Sequence, residues 1–409
     1  MKTIVKIFPS VVLGFFVGVF LSLTIFYFYA IGSVTSPPQQ QKAYGAQISS
    51  FANTDVVPPS LLTELRRNFN FLIRLRRTSL YTEPLAESPL NGLKNSETKA
   101  RLPIIAVMVE NLQPARPQSG LSAADIVYET LVESGITRFM ALFQSKEADV
   151  VGPVRSARTY FAEIVREYDA WYSHVGGNAD ALQFIAKYKL NNLDQFFLNK
   201  PYWRDAERRK RGLEHSMYTD TEELRKLTKG DFPKTFIPWQ FKKESALNID
   251  RESLLGSNQR EQPPQKNPSK QTIQIDFSKP AFKVKWEYNP AENSYQRYLA
   301  GTPHKDAQND EILSAKNIVV QYVKMSLVAN TPHGDEGALD LQLIGQGKGI
   351  FFRDGKSFPI TWKKEKSTER TQYFDENNDE IIFNPGVIWI ELAKNQDQIK
   401  IESEDNSAN

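Results

Sequence analysis

Residues Val11 to Ile31 form a run of 21 positions without a charged side chain, rich in Val, Leu, Phe, Ile and Gly. At about 1.5 Å of rise per residue, a helix of this length covers roughly 30 Å, the thickness of the hydrocarbon layer. Such a helix satisfies its own backbone polar groups, as a span must. Lys2 and Lys6 precede the run, whereas residues 32–57 hold Lys42 as their single basic residue. The expected topology is a single pass through the cell membrane, with 1–10 cytoplasmic, a transmembrane helix at 11–31 in contact with the lipid bilayer, and an extracytoplasmic body. Ala30-Ile31-Gly32 offers small residues for cleavage as a signal peptide. The apolar stretch exceeds the roughly 7 to 15 residues usual there, so retention as an anchor is expected.

The 409 residues include no cysteine, which excludes a thiolate nucleophile, a cysteine zinc site, an iron–sulfur cluster and a lipidated cysteine. A net charge of +3 with 24% charged residues gives no global electrostatic case for nucleic acid, and none is expected as a partner.

Residues 32–88 read as a spacer, rich in Ser, Pro and Gln up to Pro59, followed by an amphipathic helix from Ser60 to about Arg77. Residues 89–250 read as an α/β or α+β domain. Its strands are expected at Ile104 to Val109, Ile126 to Val132, Phe139 to Phe143 and Ala170 to Val175, and its helices at Thr159 to Tyr168 and Asn178 to Tyr188. Residues 251–272, with Pro263-Pro264, read as a linker or long loop. Residues 273–401 read as a β-rich domain that opens with a hairpin around Asn289 to Asn293, and 402–409 as a polar tail.

Several motifs occur in order: Asn111, Ala115 to Ser122, Ala124 to Glu129, Glu133 to Phe139, Gly152 to Arg158 and Tyr172 to Gly177. Tyr295 to Arg297, His304 to Asp306, Asn317 to Gln321 and Asn384 to Trp389 follow. Together they resemble the YerB-like family of bacterial proteins, a family of unknown function. The resemblance implies an extracytoplasmic protein with N- and C-terminal domains and no established activity. Many members are lipoproteins. This chain departs in having no cysteine to lipidate, and in Glu214 before His215 where relatives tend to have proline.

The richest chemistry lies at Gly152 to Arg158, where a Gly-Pro turn leads to Ser156, read as the cap of the next helix between Arg155 and Arg158. A helix start flanked by guanidinium groups can hold phosphate or carboxylate. The ligand-binding candidates are Asn111, Arg116, Gln118, Arg138, Arg155, Ser156, Arg158, Gly176 and Gly177. The alternative is that the arginines pair with Glu129 and Glu133 inside the domain. On one strand, Glu129 and Glu133 would share a face about 13 Å apart, too far for a retaining glycosidase pair near 5 Å.

The four histidines show no paired metal spacing, so neither metal nor cofactor is expected. His174, at a strand end before Gly176-Gly177, is the best single candidate. Arg204 to Arg211 reads as a solvated surface or a teichoic-acid or lipid contact. The aromatic residues from Trp286 to Trp389 read as core or as a glycan groove.

The function expected first is non-enzymatic binding of an anionic wall polymer, a lipid headgroup or an envelope protein through the Arg116 to Arg158 region. The alternative is an envelope hydrolase or transferase using Glu129 or Glu133 with His174 and arginines.

Overall fold

The computed structural model describes residues 84–243, 271–328 and 337–403. The expected membrane helix, spacer and amphipathic helix lie outside the described residues, as does most of 251–272. No helix among the described residues is long and apolar enough to cross a membrane.

The main sheet begins with β1 (Ile105–Glu110), β2 (Ile126–Leu131) and β3 (Thr137–Phe143), largely apolar and buried on both faces. Helix α1 (Thr159–Tyr168) buries Tyr160, Phe161, Ile164, Val165 and Tyr168, a stripe at helical spacing, and ends on Asp169 in the left-handed region. Strand β4 (Trp171–His174) follows. Helix α2 (Ala179–Tyr188) is capped by the Asn178 side chain, which accepts from the Ala181 N–H. The short strand β5 (Asn192–Asp194) closes this part of the chain. Six sequence expectations, four strands and two helices, agree here with the observed elements within two residues.

Beyond residue 270 come β6 (Gln271–Asp276), β7 (Lys283–Asn289) and β8 (Ser294–Leu299), an antiparallel meander containing the expected hairpin. Gln271 and Thr272, read as linker, are strand residues. The longer sheet strands that follow include β9 (Asn317–Tyr322), β10 (Gly345–Arg353), β11 (Lys356–Lys364), β12 (Gln372–Phe374), β13 (Ile388–Ala393) and β14 (Ile399–Ser403).

Ten strands form one sheet in the order β12-β11-β10-β9-β13-β2-β3-β1-β4-β5. The seam between the two halves of the sequence is β13 lying parallel to β2, with Glu391 opposite Glu129. A mixed N-terminal region and a β-rich C-terminal region are therefore joined by continuous backbone hydrogen bonding. Alternation along the strands separates two cores. One face places Met108, Tyr128, Met140 and Ile390 under α1. The other places Val107, Val127, Phe139 and Trp389 against the second sheet, whose Ile273, Trp286 and Tyr295 complete that core. Both cores close within Glu83–Asn409, which is one compact unit.

This seam sets an expectation for proteolysis. Cleavage within 251–270 should yield two fragments that elute together under native conditions and separate only in denaturant. Fragments that part in native buffer would show that the β2–β13 pairing does not hold the halves.

Candidate functional site

Two polar clusters lie at the end of the sheet where β1 finishes, one on each face. The first is buried between the sheets. Glu129 on β2 and Glu391 on β13 are lateral neighbours, and both carboxylates bind the Arg297 guanidinium that descends from β8. Arg297 Nη1 donates to Glu391 Oε1 at 3.0 Å, and Trp286 Nε1 donates to the same oxygen at 3.0 Å. All three side chains are fully buried. The guanidinium also stacks near Trp389, with its carbon 4.5 Å from the ring centroid.

Arg297 Nε can only donate, so His304 Nδ1, 3.0 Å away, accepts. His304 therefore carries its proton on Nε2 and donates to Gln118 Oε1 at 2.8 Å. Burial first, then the charges of Arg297 and Arg116, hold its pKa well below the ordinary value, and the ring is neutral. Gln118 donates onward to the Asn111 side chain at 2.9 Å, and Asn111 donates to Glu129 at 3.2 Å and Thr137 at 2.7 Å. Arg116 closes the chain by binding the Asn111 carbonyl at 2.8 Å. Burial lowers its pKa to about 10. Asn111, Arg116, Gln118 and Glu129 thus meet here, through Arg297, His304 and Glu391 of the other half.

The second cluster lies on the α1 face, around Ser156. Ser156 is not a helix cap: α1 begins at Thr159, the capping position belongs to Arg158, and no side chain bonds the free N–H groups there. The reason is local. Residues 151–157 run extended across the ends of β1 and β4, with Arg155 N bonded to Met108 O and Val175 N to Arg155 O, so the chain cannot turn into a helix before Arg158. Glu133 is not on β2 either but in the turn beyond it, where it holds Arg158 through two hydrogen bonds, one of 2.7 Å.

Arg138 is nearly fully buried, yet its guanidinium donates to a carbonyl, Ser156 O, at 2.6 Å. Burial, then the neighbouring Arg158 and Arg155, lower its pKa to about 10. Arg155 Nε stands 3.4 Å from Glu110 Oε1 but makes no hydrogen bond among the described residues. The ion-pair distance and the missing bond are reconciled by misaligned N–H geometry. Glu110 is shared with His215, whose Nδ1 lies 2.9 Å away. The buried Tyr172 hydroxyl lies beside Arg138, Arg158 and the Arg158 backbone. Three guanidinium groups therefore face two carboxylates, next to a helix start without a side-chain cap among the described residues.

Ser156 also lines a cavity of about 620 Å³, bounded by Gly176, Gly177, Leu182, Ile185 and the rings of Phe196 and Phe197. Gly176 has φ +55, and a Cβ there would come within 2.8 Å of the Phe196 ring, so only glycine permits this wall. His174 is buried behind it, bonded to Gly176 O and the Asn192 side chain, both at 2.8 Å, and burial lowers its pKa. Glu129, Glu133 and His174 stand in three different surroundings and do not converge.

The basic run is not simply solvated. Arg208 and Arg211 donate to the backbone carbonyls of Pro114 to Pro117, and Arg204 to Leu213 O. Of the aromatic set, Trp286, Tyr295, Phe351, Phe352, Trp362 and Trp389 are core. Arg297, Glu391 and Tyr172 were absent from the sequence candidates. The Tyr295 to Arg297 and Tyr172 to Gly177 motifs contained two of them, but apolar neighbours made those stretches look like plain strand.

Residues 90–234 match the family described as "Protein of unknown function (DUF3048) N-terminal domain", and residues 273–390 match its C-terminal domain. The chain is 28% identical over 320 residues to the "Putative lipoprotein YerB" of Bacillus subtilis, covering 77% of this chain and 88% of that protein. It is also similar to the crystal structure of the YerB protein from Bacillus subtilis, with a TM-score of 0.65 and 26% identity, over 78% of this chain and 99% of that one.

Proposed function

The chain belongs to the YerB-like family, and from that premise we propose that it is an extracytoplasmic, membrane-held protein that binds an anionic envelope component at the Ser156 cluster. The observation that carries this reading is the surplus of guanidinium groups there. Arg138, Arg155 and Arg158 are balanced by Glu133 and a shared Glu110, and Arg155 Nε has no hydrogen-bond acceptor among the described residues. A buried N–H without a partner costs about 1–3 kcal/mol, which a phosphate or carboxylate oxygen would recover. The adjoining start of α1 favours negative charge as well. Placement outside the cytoplasm is supported by the relative's name and by the Val11 to Ile31 pattern. The hydrolase alternative draws no support from geometry, because its carboxylates are engaged by Arg297 and Arg158.

The test is calorimetric titration of the Glu83–Asn409 body with short-chain polyphosphate. Arg155→Gln is expected to weaken binding by about tenfold or more, since a charge-assisted hydrogen bond contributes about 1.5–3 kcal/mol, with little change in Tm. Arg158→Ala should instead lower Tm without ligand, because it releases Glu133. Unchanged affinity in both Arg155→Gln and Arg138→Gln would overturn the reading.

A further inference from the structure

We infer that the end of the body carrying Phe196, Phe197 and the arginines of residues 204–211 rests on an anionic lipid surface, with the two phenylalanine rings entering the headgroup layer. This deepens the reading above, on which it rests, by naming the partner of that end.

Phe196 and Phe197 are 69% and 79% exposed. Their exposure is built into the fold. Asp194, the last residue of β5, accepts from Phe196 N at 3.1 Å and Gly176 N at 2.9 Å, while its carbonyl accepts from Phe197 N at 3.0 Å and Leu198 N at 3.1 Å. The turn is clamped from both sides and holds two adjacent rings out in water. Nothing in the core gains from that arrangement, and contiguous exposed apolar surface marks a site of contact.

A chain of contacts links the rings to the cations. Phe196 and Phe197 share the cavity wall with Ser156. Its neighbour Arg155 reaches Glu214 O, and Arg204 reaches the adjacent Leu213 O, a residue itself half exposed. Arg208 and Arg211 then reach Arg116 O. Because these two guanidinium groups are held by neutral carbonyls, their positions are fixed while their charge is retained. Arg209 is exposed beside them. Residues 204–214 hold five basic side chains and three acidic ones, of which Asp205 caps a helix turn and Glu207 binds Lys210.

Fixed cations beside exposed aromatic rings fit an interface that offers anionic headgroups and, a few ångströms deeper, hydrocarbon. A soluble polyanion would use the arginines and gain nothing from the rings. The phenylalanines therefore favour the lipid surface over a wall polymer.

The experiment uses the Glu83–Asn409 body, whose two cores close within it and whose relative of matching extent is known as a crystal structure. Sedimentation is measured with vesicles of phosphatidylcholine alone and of phosphatidylcholine with phosphatidylglycerol, and polyphosphate binding is measured in parallel. The body should sediment with the anionic vesicles and stay in solution with the neutral ones. Phe196→Ser/Phe197→Ser should lower the ratio of vesicle affinity to polyphosphate affinity by about tenfold or more, the scale set by burying even one such ring. Arg209→Glu should weaken vesicle binding with Tm unchanged. Polyphosphate binding without vesicle binding, or vesicle binding indifferent to the double substitution, overturns the lipid inference and leaves the anion reading standing. Binding to neither probe removes both.

Discussion

Replacing Arg297 by methionine is expected to lower the unfolding free energy by about 3–5 kcal/mol, because it leaves two buried acids without their cation. Glu129 and Glu391 are fully buried on adjacent strands and both bind this guanidinium. Neither can turn to water, since the second sheet covers them. The loss corresponds to roughly 4–7 °C in Tm for a body of this size. His304 would lose its Nδ1 donor as well, so Gln118 and Asn111 downstream should loosen. Chemical denaturation and a thermal scan both read the effect. A companion variant with Arg297→Met, Glu129→Gln and Glu391→Gln should recover much of it, because the cost lies in stranded charge rather than in lost attraction. If Arg297→Met alone matched the parent's stability, the network would have no part in joining the halves of the sheet.

Stability should also fall as pH rises from about 4.5 toward 8, and Glu391→Gln should remove that part of the slope. Burial first, then the neighbouring Glu129 charge, push the Glu391 carboxyl up to about 8 from an ordinary value of 4.5. Its Oε1 accepts from both Arg297 and Trp286. Between the two values the folded chain holds a proton that the unfolded chain has released. The contribution is therefore full below about 4.5 and is lost progressively up to about 8. Glutamine keeps the shape and cannot ionise. The difference between parent and variant across pH, measured by denaturant midpoint, isolates this group from other titrations. An identical slope in Glu391→Gln would show that Glu391 is already ionised at neutral pH.

Several elements were legible from residues alone because the evidence for them is local. The stripe of Tyr160, Phe161, Ile164, Val165 and Tyr168 recurs at helical spacing, and α1 occupies the expected bounds. A helix was expected at Asn178 to Tyr188, and the structure makes Asn178 the cap of α2 rather than its first turn. Apolar runs at Ile105–Glu110 and Ile126–Leu131 announced strands buried on both faces. The motifs that identify the family were also legible, since order and identity of residues need no coordinates.

What the sequence could not supply was which strand lies beside which. Glu129 and Glu391 are 262 positions apart, and only the parallel pairing of β2 with β13 makes them neighbours that must share one arginine. Ser156 was read as a cap from its type and from the helix after it. The bonds of residues 151–157 to β1 and β4 keep that stretch extended and pass the capping position to Arg158. Periodicity and capping are set within a few residues of chain, so the sequence alone determined them. Pairing, burial of charge and the gathering of Arg138, Arg155 and Arg158 depend on closures across long loops, whose outcome follows from the packing of both cores at once, and only the tertiary structure decided them.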